Sequence, residues 1–236
     1  MKPSPHRPER PVHAMPPALV HIVEDDLILG MALHELLRSI GLESIEYSSL
    51  QAFYAAELPD RPSCILTDLR LPDGNGLDLL ARAGRSNSHP PVIIMTGYAD
   101  VALSVRAMRD GAADFLTKPL REQELLDAVT AALAVDQRRW LQRREGQRLR
   151  RCFESLSARQ RQVIELVATG RLNKQTAAEL GLSETTVKTH RRLAMQKMQA
   201  RGTADLIRMV DQLGLGARTS PASPHRGSFL RAPISR

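Results

Sequence analysis

Asp68 ends an apolar run, Ser63–Thr67, and is followed by the turn sequence Leu69-Arg70-Leu71-Pro72-Asp73-Gly74. Three other apolar runs also end in reactive side chains. Glu24-Asp25-Asp26 follows 18–23, Thr96 follows 92–95, and Lys118-Pro119 follows 113–117. A carboxylate, further acids, a hydroxyl and an ammonium, all at strand ends, suit a site that takes a phosphoryl group onto aspartate. Aspartate is a weak nucleophile and its phosphate a reactive mixed anhydride. The site must therefore neutralise incoming charge and hold the acid in line. Magnesium does this with oxygen ligands in near-octahedral geometry. Asp25 and Asp68 are the expected direct ligands of Mg2+, with Glu24 or Asp26 acting through water and the backbone carbonyl of Arg70 as a further ligand. Lys118 would pair with one phosphoryl oxygen and Thr96 would donate its hydroxyl to another. Pro119 holds Lys118 in extended backbone, and the bond between them is open to cis or trans. Singly, the acidic run reads as a solvated loop, Lys-Pro as a turn and Thr96 as a helix cap; the joint pattern at four strand ends carries the reading.

The elements that must position these groups alternate. Strands are expected at 18–23, 44–47, 63–67, 92–95 and 113–117, and helices at 27–40, 50–56, 77–83, 101–108 and 122–134. Such alternation implies right-handed crossovers and a mainly parallel sheet. Strands this apolar are covered by helices on both faces. Ligands of such sheets bind at the carboxyl ends of strands, where every group above falls.

The net charge of +7 hides a split. Residues 18–134 hold 9 Lys+Arg against 17 Asp+Glu, and residues 135–214 hold 17 against 8. An acidic and a basic half argue for two modules, the second favouring a polyanion. Residues 1–17, with six prolines, and 215–236 read as disordered tails. Residues 135–155 read as a helical linker. Leu126, Val129, Leu133 and Trp140 keep a helical or heptad spacing, which suits pairing with a second copy or a stripe packed on the same domain. Cys64 and Cys152 lack metal-ligand spacing, so neither a disulfide framework nor a zinc site is expected. No apolar run approaches the roughly 20 residues of a membrane span, and there is no apolar secretion signal, so the expected location is the cytoplasm.

Residues 156–214 read as all-helical. Ser157-Ala-Arg-Gln160 is a capping box opening a helix that Gly170 ends. A second helix, 173–180, stops at Gly181. Ser183 caps a third, 184–199, and a fourth spans 204–213. Two helices joined by a short glycine-containing turn form a helix-turn-helix pattern. Val187 should face inward, leaving Lys188, Thr189 and Arg192 on the outer face for base edges, with Arg191, Lys174 and Asn173 at phosphates. Residues 173–190 resemble the LuxR-type helix-turn-helix, and against that pattern Thr176 and Ala194 stand where larger aliphatic residues are usual. Their lost methylenes would cost on the order of 1–3 kcal/mol unless neighbours fill the space.

The segments Val-His-Ile-Val-Glu-Asp-Asp, Leu-Thr-Asp-Leu-Arg-Leu-Pro-Asp-Gly-Asn-Gly, Ile-Ile-Met-Thr-Gly-Tyr and Gly-Ala-Ala-Asp-Phe-Leu-Thr-Lys-Pro resemble the receiver domain of two-component response regulators, over residues 18–134. Residues 173–190, with Leu156–Val163 before and Lys197-Met198 after, resemble the LuxR-type helix-turn-helix, over 156–214. Together they resemble the NarL/FixJ family, and Leu-Arg-Leu-Pro-Asp and Thr-Gly-Tyr-Ala-Asp-Val lean to its FixJ-like branch. The resemblance implies a flavodoxin-like five-stranded sheet of order 2-1-3-4-5, then a four-helix DNA-binding domain. It implies that Asp68 accepts phosphate from a sensor histidine kinase, with Thr96 and Phe115 as switch residues. It further implies homodimerisation on phosphorylation, binding to double-stranded promoter DNA, and activation through RNA polymerase. A phosphoryl sink or partner-binding scaffold is the alternative, and deleting residues 150–236 separates the two. No nucleotide-binding glycine loop or hydrolytic triad appears. No enzyme activity is expected beyond self-phosphorylation and self-dephosphorylation of Asp68.

Overall fold

The computed structural model describes residues 15–83, 89–97 and 101–215; the rest of the two tails lies outside the described residues. The chain divides into two compact units between Arg143 and Arg144.

The first unit alternates strand and helix: β1 (Leu19–Val23), α1 (Leu27–Ser39), β2 (Glu43–Tyr47), α2 (Leu50–Ala55), β3 (Ser63–Asp68), β4 (Arg70–Leu71), β5 (Gly74–Asn75), α3 (Leu77–Ala83), β6 (Val92–Thr96), α4 (Val101–Arg109), β7 (Asp114–Thr117) and the part of α5 (Glu122–Glu154) up to Arg143. The five long strands form a parallel sheet of order β2-β1-β3-β6-β7. This is the expected 2-1-3-4-5 order, because β4 and β5 pair only with each other, as a small antiparallel hairpin just after Asp68. The central strands β1 and β6 are buried along their whole length. Edge strand β2, Glu-Ser-Ile-Glu-Tyr, is half exposed, and its two glutamates guard an edge open to foreign strands. One apolar layer joins the sheet to α1 and α5 through Leu33, Leu37, Leu125 and Val129. The other joins it to α2, α3 and α4 through Phe53, Leu79, Leu80 and Ala107.

Helix α5 runs unbroken for 33 residues, so the segment read as a linker continues the last receiver helix. Its middle is fastened to its own unit. Asp136, buried, accepts the Ser63 amide at 2.9 Å, opening β3, and Arg143 stands 3.6 Å from its other oxygen. The Trp140 indole, buried, donates to the backbone carbonyl and side chain of Asp60 at 3.2 and 3.0 Å. Packing on the same domain thus accounts for the apolar spacing through Trp140.

His21 sits wholly buried in β1. Its Nδ1 lies 3.1 Å from the Tyr47 hydroxyl, and its ring meets Tyr47 and Phe53. Burial, with the Arg61 charge adding, pulls its pKa down from 6.5 to about 4. Its contribution to stability is therefore fully present above pH 6.5. Below that the unfolded chain binds a proton that the folded chain refuses, and about 3 kcal/mol is lost by pH 4. His21→Gln should flatten this slope. Urea unfolding at pH 7, 6 and 5 checks it, followed by the fluorescence of Trp140, the only tryptophan. Parallel slopes in the two proteins would count against the assignment.

The second unit holds α6 (Ala158–Ala168), α7 (Asn173–Leu180), α8 (Glu184–Met198) and α9 (Thr203–Gln212). The capping box forms as expected: Gln160 N donates to Ser157 Oγ at 3.3 Å and Ser157 N to Gln160 Oε1 at 2.9 Å. At α7 only half a box forms. Leu172 N donates to Gln175 Oε1 at 2.9 Å, and leucine has no oxygen to return the bond. Gly181 ends α7 at φ 63°, a left-handed turn that glycine adopts without steric cost. The core comprises Val163, Ile164, Val167, Val187, Ala194, Met198, Leu206 and Val210. Ala194 is fully buried, with Met195 and Met198 packed in the same cluster. Thr176 is also fully buried, and its hydroxyl finds no partner, a cost an aliphatic side chain would not incur.

Candidate functional site

The carboxyl ends of β1 and β3 bring Glu24, Asp25 and Asp68 together. One oxygen from each lies within 4.8 Å of the others. Lys118, arriving from the end of β7, donates to Asp68 Oδ2 at 2.6 Å and to Glu24 Oε2 at 2.8 Å. Burial raises the Glu24 carboxyl above its usual range, against the hydrogen bond and charge of Lys118. Burial also weighs against the Lys118 ammonium, but its bonds to Asp68 and Glu24 prevail and hold it above the ordinary lysine value. Two acids that would repel one another, Asp68 and Glu24, are thus bridged by the Lys118 ammonium. An all-oxygen donor set with two adjacent carboxylates suits Mg2+. Asp26 is turned away: its Oδ1 accepts the amides of Ile28 and Leu29, capping α1. Of the two acids considered for the water-mediated place, Glu24 is therefore the one the fold leaves in the cluster. The Arg70 amide donates to Asp68 Oδ1 at 3.2 Å, which places the Arg70 backbone beside the cluster.

Thr96 closes β6, buried, and its carbonyl accepts the Lys118 amide at 2.7 Å. The Lys118-Pro119 bond is cis. Phe115 on β7 pairs in register with Ile94, and Thr117 with Thr96. Side chains two apart on a strand share a face, so Phe115 and Thr96 lie on one side of the sheet on adjacent strands. Phe115 is half-buried against the α2–α4 layer.

In the second unit, Lys188, Thr189 and Arg192 are exposed on α8, and Val187 is fully buried beneath them. Lys188 meets Glu184 at 3.2 Å one turn back. The Thr189 hydroxyl donates to the Thr185 carbonyl at 3.0 Å. Lys174 is exposed at the start of α7. Arg191 does not share this free outer face. It bonds Asn173 Oδ1 at 2.9 Å and Thr203 Oγ1 at 2.5 Å. Two of the three residues expected at phosphates, Arg191 and Asn173, are thus bonded to each other, and the third, Lys174, stays exposed.

An acidic strand-end site and a separate module with a cationic helix face now stand in one chain. Residues 20–130 match the response regulator receiver domain family, and residues 154–210 match the family of bacterial regulatory proteins described as luxR. Over 200 residues the chain is 48% identical to Nodulation protein W of Bradyrhizobium diazoefficiens, covering 85% of this chain and 88% of that protein. It is 38% identical to the transcriptional regulatory protein FixJ of Azorhizobium caulinodans over 211 residues, 89% of this chain and all of that one. The solved structure of response regulator StyR is similar with a TM-score of 0.75 at 36% identity, covering 84% of this chain and all of that one. The chain belongs to the NarL/FixJ family of response regulators. It is a two-component transcription regulator with a receiver and a LuxR-type DNA-binding domain.

Two residues just after Asp68 make contacts around this response regulator's acidic site that sequence reasoning did not assign. Asp73 Oδ1 and Oδ2 accept the amides of Leu50 and Gln51 at 3.1 and 2.7 Å, capping α2 from the hairpin after Asp68. These bonds hold its carboxyl below the usual range. Gly76 lies where a Cβ would stand 2.4 Å from the Asp68 carbonyl oxygen. No side chain fits there without moving the Asp68 backbone. Gly76→Ala is expected to shift Asp68 against Lys118, slowing phosphoryl uptake at least about tenfold and costing about 1–3 kcal/mol of stability. Phosphorylation rate and urea unfolding, measured side by side, test both halves. The signal for Gly76 was its place in Gly-Asn-Gly; the contact itself depends on the fold.

Proposed function

We propose that this chain is a phosphorylation-dependent transcriptional activator, with Asp68 as the phosphoacceptor. An Asp68 oxygen attacks the phosphorus of a phosphohistidine on a sensor histidine kinase. The O–P bond forms as the N–P bond breaks, and the imidazole nitrogen leaves with the electron pair. Water later hydrolyses the acyl phosphate and resets the site, and catalysis goes no further than these two steps at Asp68. Asp25, Asp68, the Arg70 carbonyl and, through water, Glu24 would hold Mg2+, which when bound would supply charge neutralisation for the transferring group. Lys118 moves its bond from the Asp68 carboxylate to a phosphoryl oxygen.

The new dianion attracts the Thr96 hydroxyl, and Phe115, on the same face of the sheet, turns inward as Thr96 moves. The α4–β7 surface changes shape and two receivers pair. A two-state element biased by one charge event is what such a switch requires. Pairing sets two DNA-reading modules on adjacent half-sites of double-stranded promoter DNA, where effective concentration adds affinity without new base contacts. The bound dimer recruits RNA polymerase. Among the described residues no helix is long and apolar enough to cross a membrane, and the reading places the regulator in the cytoplasm.

The observation that carries this reading is the Lys118 bridge across Asp68 and Glu24, beside Asp25. Sedimentation of the full chain with magnesium, with and without acetyl phosphate, tests it beside Asp68→Asn. A monomer-to-dimer shift in wild type alone is expected. The same sedimentation in all samples would rule out switching by self-association.

A further inference from the structure

We infer that Arg191 is a positioning residue of the DNA-reading module, one that seats the recognition helix rather than contacting DNA itself. This rests on the DNA-reading function of the second unit. Along α8, Val187, Arg191, Ala194 and Met198 recur at i, i+4, i+7 and i+11, the spacing of one helix face. The other three are fully buried, so Arg191 occupies the inward stripe. Lys188 and Arg192 form the neighbouring stripe and are exposed.

The guanidinium joins three segments. Nη1 reaches Asn173 at the start of α7, and Nη2 reaches Thr203 at the start of α9. The backbone beside each far anchor is itself held. The Leu172 amide is held by Gln175 Oε1 at 2.9 Å. The Arg201 amide is held by Asp205 Oδ2 at 2.9 Å, and Arg208 meets the other Asp205 oxygen at 3.1 Å. A planar fork reaching two acceptors sets both the rotation and the depth of the helix that carries it. Lysine, a single point donor on a flexible stem, cannot do this. The rival is a phosphate contact, since Asn173, Lys188, Arg191, Arg192 and Met195 line a shallow hollow of about 270 Å3.

Charge and geometry separate the two. The probe is a duplex selected from a random pool by the full wild-type chain with magnesium and acetyl phosphate, compared with a random duplex of equal length. Binding is measured across a potassium chloride series for wild type, Arg191→Lys, Arg191→Ala and Thr203→Val. A brace predicts that Arg191→Lys and Thr203→Val each lose about tenfold on the selected duplex while keeping wild-type affinity for the random one. Arg191→Ala should keep the wild-type slope of affinity against salt. A phosphate contact predicts near wild-type binding by Arg191→Lys and Thr203→Val, and a slope smaller by about one for Arg191→Ala. That result overturns the inference. Thr203→Val keeps every charge, so it decides the matter even if an Arg191 variant fails to fold. Failure of wild type to enrich any duplex would overturn the DNA-reading function and this inference together, an outcome distinct from variants that match wild type on an enriched one.

Discussion

Asp68→Asn should take up no phosphoryl group at all and still fold. Asparagine keeps the shape of the side chain and can still accept the Arg70 amide through its carbonyl oxygen, now 3.2 Å from Asp68 Oδ1. It cannot form the acyl phosphate, and it gives Lys118 a neutral partner in place of the carboxylate 2.6 Å away. Glu24 remains to hold the lysine at 2.8 Å, and one member of a crowded acidic group is gone. The variant should therefore keep a cooperative melt. Intact-mass analysis after incubation with magnesium and acetyl phosphate should find one added phosphoryl group on wild type and none on the variant. Uptake at an unchanged rate would remove Asp68 from its role and leave the Lys118 bridge as a structural ion pair only.

Lys188→Ala should have the second largest effect, on DNA rather than on phosphate. Lys188 is exposed, and its contact with Glu184 is a surface pair of the kind worth only about 0.5 kcal/mol. Stability of the module should barely change. On the proposed reading a lysine on the outer stripe of α8 would meet guanine edges in the major groove, and losing that contact would cost about 1–3 kcal/mol, or roughly 5- to 150-fold in specific affinity. Binding to random duplexes should fall far less. Titration of both duplexes at one salt concentration measures the ratio, and retained specific affinity would take Lys188 off the base-reading face.

The strand-end arrangement was legible because it is written in short segments at the ends of apolar runs. Asp68, Thr96 and Lys118 stand where the apolar runs stop, and a parallel sheet brings such ends to one edge. The helix starts at Ser157 and Ser183 and the stop at Gly181 were legible for a similar reason: caps act within one turn. What stayed hidden depends on partners far along the chain. Ser63 and Asp136 are 73 residues apart, Trp140 and Asp60 are 80 apart, and no local pattern pairs them. The closeness of Gly76 to the Asp68 carbonyl follows from the hairpin between them, which is too short to show an alternating pattern. Arg191 is a different case. Its spacing from Val187, Ala194 and Met198 was present in the sequence, but its charge suggested an outward face. Periodicity decided its position, and two polar anchors made a cation acceptable there.

The fastening of α5 has a bearing on how such regulators can be recombined. A receiver severed after residue 134 would lose the carboxylate that receives the first amide of β3, the very strand that ends in Asp68. It would also bare the patch that Trp140 covers beside Asp60. The exchangeable part is therefore not the receiver as its motifs delimit it. A graft that gives this receiver a new output module should place its seam after Arg143, carrying Asp136 and Trp140 with the sheet they brace.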